Sequence, residues 1–91
     1  MANQVKKVNY TTAITTTPTE ILDLQDTTFN TIQVHNTTGE TVTIEFGNGA
    51  DYDIFDGEKI LQPFLCKGKV KVSVSSGTTS TGSLFFQATV G

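Results

Sequence analysis

Few residues in this 91-residue chain could do chemistry, and they are scattered. There is one cysteine, Cys66, and one histidine, His35. A nucleophilic pair would need the two close together and oriented by a third group. His35 follows Gln33 and Val34 on the polar side of an alternating run, whereas Cys66 ends an apolar run before a turn. They read as an exposed imidazole and a small buried or rim thiol. Serine and threonine are plentiful, yet no G-x-S-x-G nucleophile elbow occurs. No acid–base pair can be assembled from the spacing, so an enzyme is not expected.

The acidic run Asp51, Asp53, Asp56 and Glu58 is the strongest metal candidate, because hard oxygen ligands at close spacing suit calcium. Its D-x-D-x-x-D-G pattern departs from the EF-hand loop and lacks the bidentate Glu at the closing position. The preferred reading is a solvated edge strand whose charges resist aggregation, with calcium as the lesser alternative. No other cofactor is expected. Lys67, Lys69 and Lys71 form a short basic stripe. With no Arg and no stacking aromatic beside them, they do not make a nucleic-acid site. They could instead pair with the acidic run of a neighbouring subunit. Two sequons, at Asn9 and Asn36, are what a Thr-rich chain produces by chance.

The elements that must hold these residues are strands. Threonine accounts for 17 of 91 residues and arginine for none. Thr is stiff at χ1 and suits a pleated, half-exposed surface better than a helix. Apolar residues recur with period two at Val42, Ile44 and Phe46, at Val70, Val72 and Val74, and at Leu84, Phe86, Ala88 and Val90. Less regular candidates are Val5 to Ile14, Glu20 to Leu24, Phe29 to Asn36, Asp51 to Phe55 and Lys59 to Cys66. In the last of these Pro63 argues for an edge or a bulge. Gly and Asn punctuate the gaps, at Asn36–Gly39, Gly47–Gly49, Asp56–Gly57 and Lys67–Gly68. A polar loop, Ser75 to Gly82, joins the last two strands. Eight strands at roughly ten-residue spacing, with no helical periodicity, predict one all-β antiparallel sandwich or barrel over residues 1–91.

The first 20 residues are poor in apolar side chains and are expected to form an arm. Val5, Val8 and Tyr10 are its candidate contacts with another subunit or a capsid. Phe29 and Phe85 fall on faces that otherwise look polar, and they are further candidates for a subunit contact. Net charge is −3, the wrong sign for a general nucleic-acid binder. The start of the chain shows no apolar leader, and no run approaches the roughly 18 residues of a membrane span. A cytoplasmic origin and later assembly are expected.

The run Asn36-x-x-Gly39, Gly47-x-Gly49, Asp56-Gly57, Val70-x-Val-x-Val-Ser-Ser-Gly77 and the closing strand through Leu84 and Phe86 resembles the small jelly-roll virion proteins of tailed phages. Capsid decoration or cement proteins are the prime examples. The resemblance covers residues 28–91 and carries no site residue across. It implies a jelly-roll-like sandwich and a homo-oligomer, in many cases a homotrimer. It also implies a place on the virion against the major capsid protein or another virion protein. The alternative is a carbohydrate-binding or adhesin-type module using the loops around Asn48, Asp51 and Asp53, with calcium.

Overall fold

The computed structural model describes residues 4–47, 49–79 and 83–90. Asn48 and residues 80–82 of the last polar loop lie outside the described residues. Eight strands follow one another: β1 Gln4–Tyr10, β2 Thr19–Asp23, β3 Phe29–Asn36, β4 Val42–Glu45, β5 Asp51–Ile54, β6 Lys59–Cys66, β7 Lys69–Ser73 and β8 Leu84–Val90. There is no helix among the described residues.

The strands form two four-stranded antiparallel sheets. Sheet I has the order β1-β8-β3-β6, and sheet II has the order β2-β7-β4-β5. The pairs β4:β5, β3:β6, β2:β7 and β1:β8 are the successive rungs of one long hairpin, assigned alternately to the two sheets. A hairpin rolled up in this way is a jelly roll.

Alternation places the core. Val42 and Ile44 on β4, Val70 and Val72 on β7, and Leu84, Phe86 and Ala88 on β8 are fully buried, as their period-two spacing requires. One open side of the sandwich, between β5 and β6, is filled by rings. Phe46 and Phe64 lie 4.8 Å apart, Phe86 is 6.0 Å from Phe46, and Tyr52 meets Phe64 edge-on at 6.0 Å. The Tyr52 hydroxyl donates across the sheets to Gln62 Oε1 at 3.3 Å. At the opposite side, Lys6 Nζ on β1 donates to the Asp23 carbonyl on β2 at 3.2 Å.

The buried Asn36 ties one end together. Its Nδ2 donates to the carbonyls of Glu40 at 2.7 Å and Ile54 at 2.9 Å, and its Oδ1 accepts from the N–H and hydroxyl of Thr38. All four hydrogen-bonding positions of the amide are used, which is what lets a polar side chain sit at zero exposure. At the other end the β4–β5 turn crosses the β6–β7 turn at contact distance. A Cβ on Gly47 would lie 2.6 Å from the Lys67 carbonyl oxygen and 2.9 Å from Gly68 Cα.

Two expectations are corrected. The N-terminal segment is not an arm: β1 pairs with β8 over seven residues. The following loop is pinned by Ile14, whose N–H donates to Thr79 Oγ1 at 2.8 Å while its carbonyl accepts from the Thr79 N–H at 2.9 Å. Ile14 itself is in the core. The radius of gyration, 12.4 Å, agrees with roughly 12 Å for a compact chain of this length. Phe29 is not a surface contact but fully buried. A bulge between Phe29 and Thr31 sets two residues of β6, Phe64 and Leu65, against Asn30 alone on β3. It takes Phe29 off the outward face of Thr31, Gln33 and His35 and turns it into the core.

These positions give contrasting stability predictions, read by urea unfolding. Phe29→Ala should cost about 3–5 kcal/mol, as a buried ring replaced by a cavity. Gly47→Ala should cost about 1–3 kcal/mol although Gly47 is exposed, because backbone occupies the space a Cβ needs. Leu61→Ala, at an exposed position, should change stability by less than about 0.5 kcal/mol.

Candidate functional site

The structure separates the residues that could have formed a catalytic centre. His35 points outward from sheet I, between Lys59 on β6 and Phe85 on β8. Cys66, at the far end of β6, points inward opposite Phe29 and is fully buried. The seven steps from Lys59 to Cys66 span roughly 23 Å, so imidazole and thiol cannot act together. Burial pushes the Cys66 thiol up to about 11, which keeps it protonated and inert at neutral pH.

The acidic run does not converge either. Asp51 and Asp53 stand on the outer face of β5. Asp53 Oδ1 accepts the Thr43 hydroxyl at 2.8 Å. Asp56 Oδ1 accepts the Gly39 N–H at 2.8 Å, and Glu58 Oε1 accepts the Phe55 N–H at 2.9 Å. Two of the four carboxylates thus shape turns. Among the described residues no group of three His, Cys, Asp or Glu side chains is placed to hold a metal.

What the fold does assemble is a pair of unlike outer faces. On sheet I the registers align the outward side chains in three rows across β1, β8, β3 and β6: Val5, Thr89, Thr31, Pro63; Lys7, Gln87, Gln33, Leu61; and Asn9, Phe85, His35, Lys59. None of the four strands contains Asp or Glu. With Lys6, Lys7 and Lys59 they carry +3. Sheet II carries −3, from Glu20, Asp23, Glu45, Asp51 and Asp53 set against Lys69 and Lys71. Its outward rows run Glu20, Lys71, Glu45, Asp51 and Ser73, Thr43, Asp53. The lysine stripe therefore sits among its own sheet's carboxylates, with Lys69 Nζ 3.8 Å from Glu20 Oε1. Both side chains are largely solvated, so this pair contributes little to stability.

Sheet I is also the apolar face. Val5 is 52% exposed, Leu61 71% and Leu65 66%. Val5 and the half-buried Phe85 lie on this face. Val8 and Tyr10 are turned the other way and pack against the core. Leu61 and Leu65 were missed, because an apolar run beside Pro63 reads as core. The available signal was that Leu61, Pro63 and Leu65 share one parity on a strand whose proline already marked an edge. An open depression beside them is lined by Asn30, Thr31, Pro63, Phe64 and Leu65.

Pro63 also governs the edge. The Asn36 N–H donates to the Glu58 carbonyl at 3.0 Å. Alternation from that bond turns the backbone groups of Val34, Ile60, Ile32 and Gln62 toward each other and those of Lys59, Leu61 and Pro63 away from β3. The outward edge of β6 thus lacks a donor at its middle, which disfavours addition of another strand there.

No protein-family model matches this chain, and no curated protein matches its sequence.

Cys66 gives a direct check on the buried end of β6. At pH 8 its alkylation by iodoacetamide should be at least about 100-fold slower in the folded protein than in urea, reflecting the raised pKa and the lack of access. The unfolded thiol ionises near 9, while the folded one holds its proton to about 11. The folded state therefore binds more protons between these values, and this group's contribution to stability falls as pH rises through that window. Cys66→Ala should flatten that part of the pH–stability curve in chemical denaturation. An unchanged slope would remove the assignment.

Proposed function

We propose that this chain is a structural virion component, a capsid decoration protein that coats the outside of a phage head and stabilises it by many repeated contacts. The jelly roll is shared by viral capsid proteins, lectins and other binding proteins, so the fold alone does not carry the proposal. The observation that supports it is the asymmetry of the two outer faces: one apolar-studded and free of carboxylates, the other acidic. A protein built for chemistry would draw its polar groups together in a cleft. Here they are spread over two broad sheets, which suits contact between surfaces.

Size supports repetition. Four strands about 4.8 Å apart and some seven residues long present roughly 450 Å². A standard stable interface buries about 800 Å² per partner, so one such face makes a weak contact. On a lattice that offers many equivalent sites, weak contacts add through avidity. Among the described residues no three carboxylates are placed to hold the calcium that a sugar-binding module would use.

Co-sedimentation with purified phage heads tests this reading. Saturable binding in a fixed ratio to the major capsid protein is expected, with a rise in the temperature at which heads release their DNA. A chain indifferent to heads that instead gives binding heat with a glycan panel would move it to the ligand-binding class.

A further inference from the structure

We propose that copies of this chain stack head to tail, with the outer face of sheet I of one copy resting on the outer face of sheet II of the next. This rests on the reading of the chain as an assembly protein and specifies how the copies meet.

Charge selects this pairing. Sheet I against sheet I would set Lys7 and Lys59 against themselves with no carboxylate to receive them. Sheet II against sheet II would oppose Glu20, Glu45, Asp51 and Asp53. I on II is the pairing that sets a net-positive face without carboxylates against a net-negative one. Lateral growth through β6 is disfavoured by Pro63, so the exposed side chains of that strand are covered from the face rather than from the edge.

Strand order makes the match positional. Within one sandwich β1 lies over β2, as the Lys6–Asp23 hydrogen bond shows, and β6 lies over β5, as the Tyr52–Gln62 bond shows. Sliding a second copy along the sheet normal repeats the same order at the new contact: β1 over β2, β8 over β7, β3 over β4, β6 over β5. Counted from one end, the proposed contact pairs the outward rows in order. At the end marked by Asn36 and Ile54, the row Asn9, Phe85, His35, Lys59 overlies Ser73, Thr43 and Asp53. The next row, Lys7, Gln87, Gln33, Leu61, overlies Glu20, Lys71, Glu45, Asp51.

Lys59 thereby meets Asp53, and Lys7 meets Glu20. These pairs lie at opposite margins of the contact, about three strand spacings apart, so together they fix its orientation. The remaining sites of that row set Gln87 over Lys71, Gln33 over Glu45 and Leu61 over Asp51, and no two like charges coincide. Such a contact is heterologous, and it grows openly unless a rotation closes it.

The test is sedimentation velocity of the full chain from about 10 to 500 µM at low and high salt. Species growing with concentration are expected, with the association constant falling at least about tenfold between roughly 50 and 500 mM NaCl as the exposed charges are screened. The double variant Lys7→Glu with Lys59→Glu, and the reciprocal Glu20→Lys with Asp53→Lys, should each remain monomeric. Their equimolar mixture should stack again. Circular dichroism and thermal melts should match the unmodified chain, since all four residues are on outer faces. Failure of the mixture to associate, or an oligomer of fixed mass indifferent to salt, overturns the stacking. A chain that stays monomeric yet saturates purified heads overturns the stacking alone. A chain that stacks but ignores heads upholds the stacking and overturns the decoration reading.

Discussion

The whole molecule depends on a core one side-chain layer thick, shared by two four-stranded sheets. In so thin a sandwich every strand must give one face to the interior, and the pleat sends each alternate residue outward. Val42, Ile44, Val70, Val72, Leu84, Phe86 and Ala88 fill the layer. Their neighbours in sequence have no choice but the surface. The outer faces are thus a by-product of packing, and whatever they can do follows from which residues occupy the alternate positions.

The irregular features are where that rule is enforced against local sequence. The bulge beside Phe29 changes parity so that a large ring is buried rather than left on a polar face. Asn36 sits where a nonpolar residue would be expected. It is tolerated because four partners satisfy it at the junction of β3, the β3–β4 turn and β5. Gly47 and Gly68 let two turns touch where side chains would keep them apart. Each closes an end or side of the sandwich that the sheets themselves leave open.

Function, on this reading, belongs to surfaces rather than to a pocket. The potentially reactive groups are separated or occupied: the thiol is buried, and the acidic run is divided between turns and an outer face. The rolled-hairpin topology sorts the strands so that all three that contain carboxylates, β2, β4 and β5, join β7 in one sheet, while the four of the other sheet have none. No single strand shows this polarity, which arises only when β1, β8, β3 and β6 are brought side by side. A weak, oriented, charge-matched contact is what such a body offers, and repetition is what makes it useful.

The sequence by itself determined that the chain is all β, about how many strands it has, and which residues of β4, β7 and β8 face inward. Period-two spacing is a local property, legible without knowing any neighbour. It also marked β6 as an edge or a bulged strand, because proline cannot donate to a ladder. Only the tertiary structure decided that β1 joins its own sheet, that Phe29 turns in, that Leu61 and Leu65 lie outside, and that the charges divide between two faces. Those outcomes depend on strand order, on register and on a single inserted residue. They are relations between segments distant in sequence, and no window along the chain contains them.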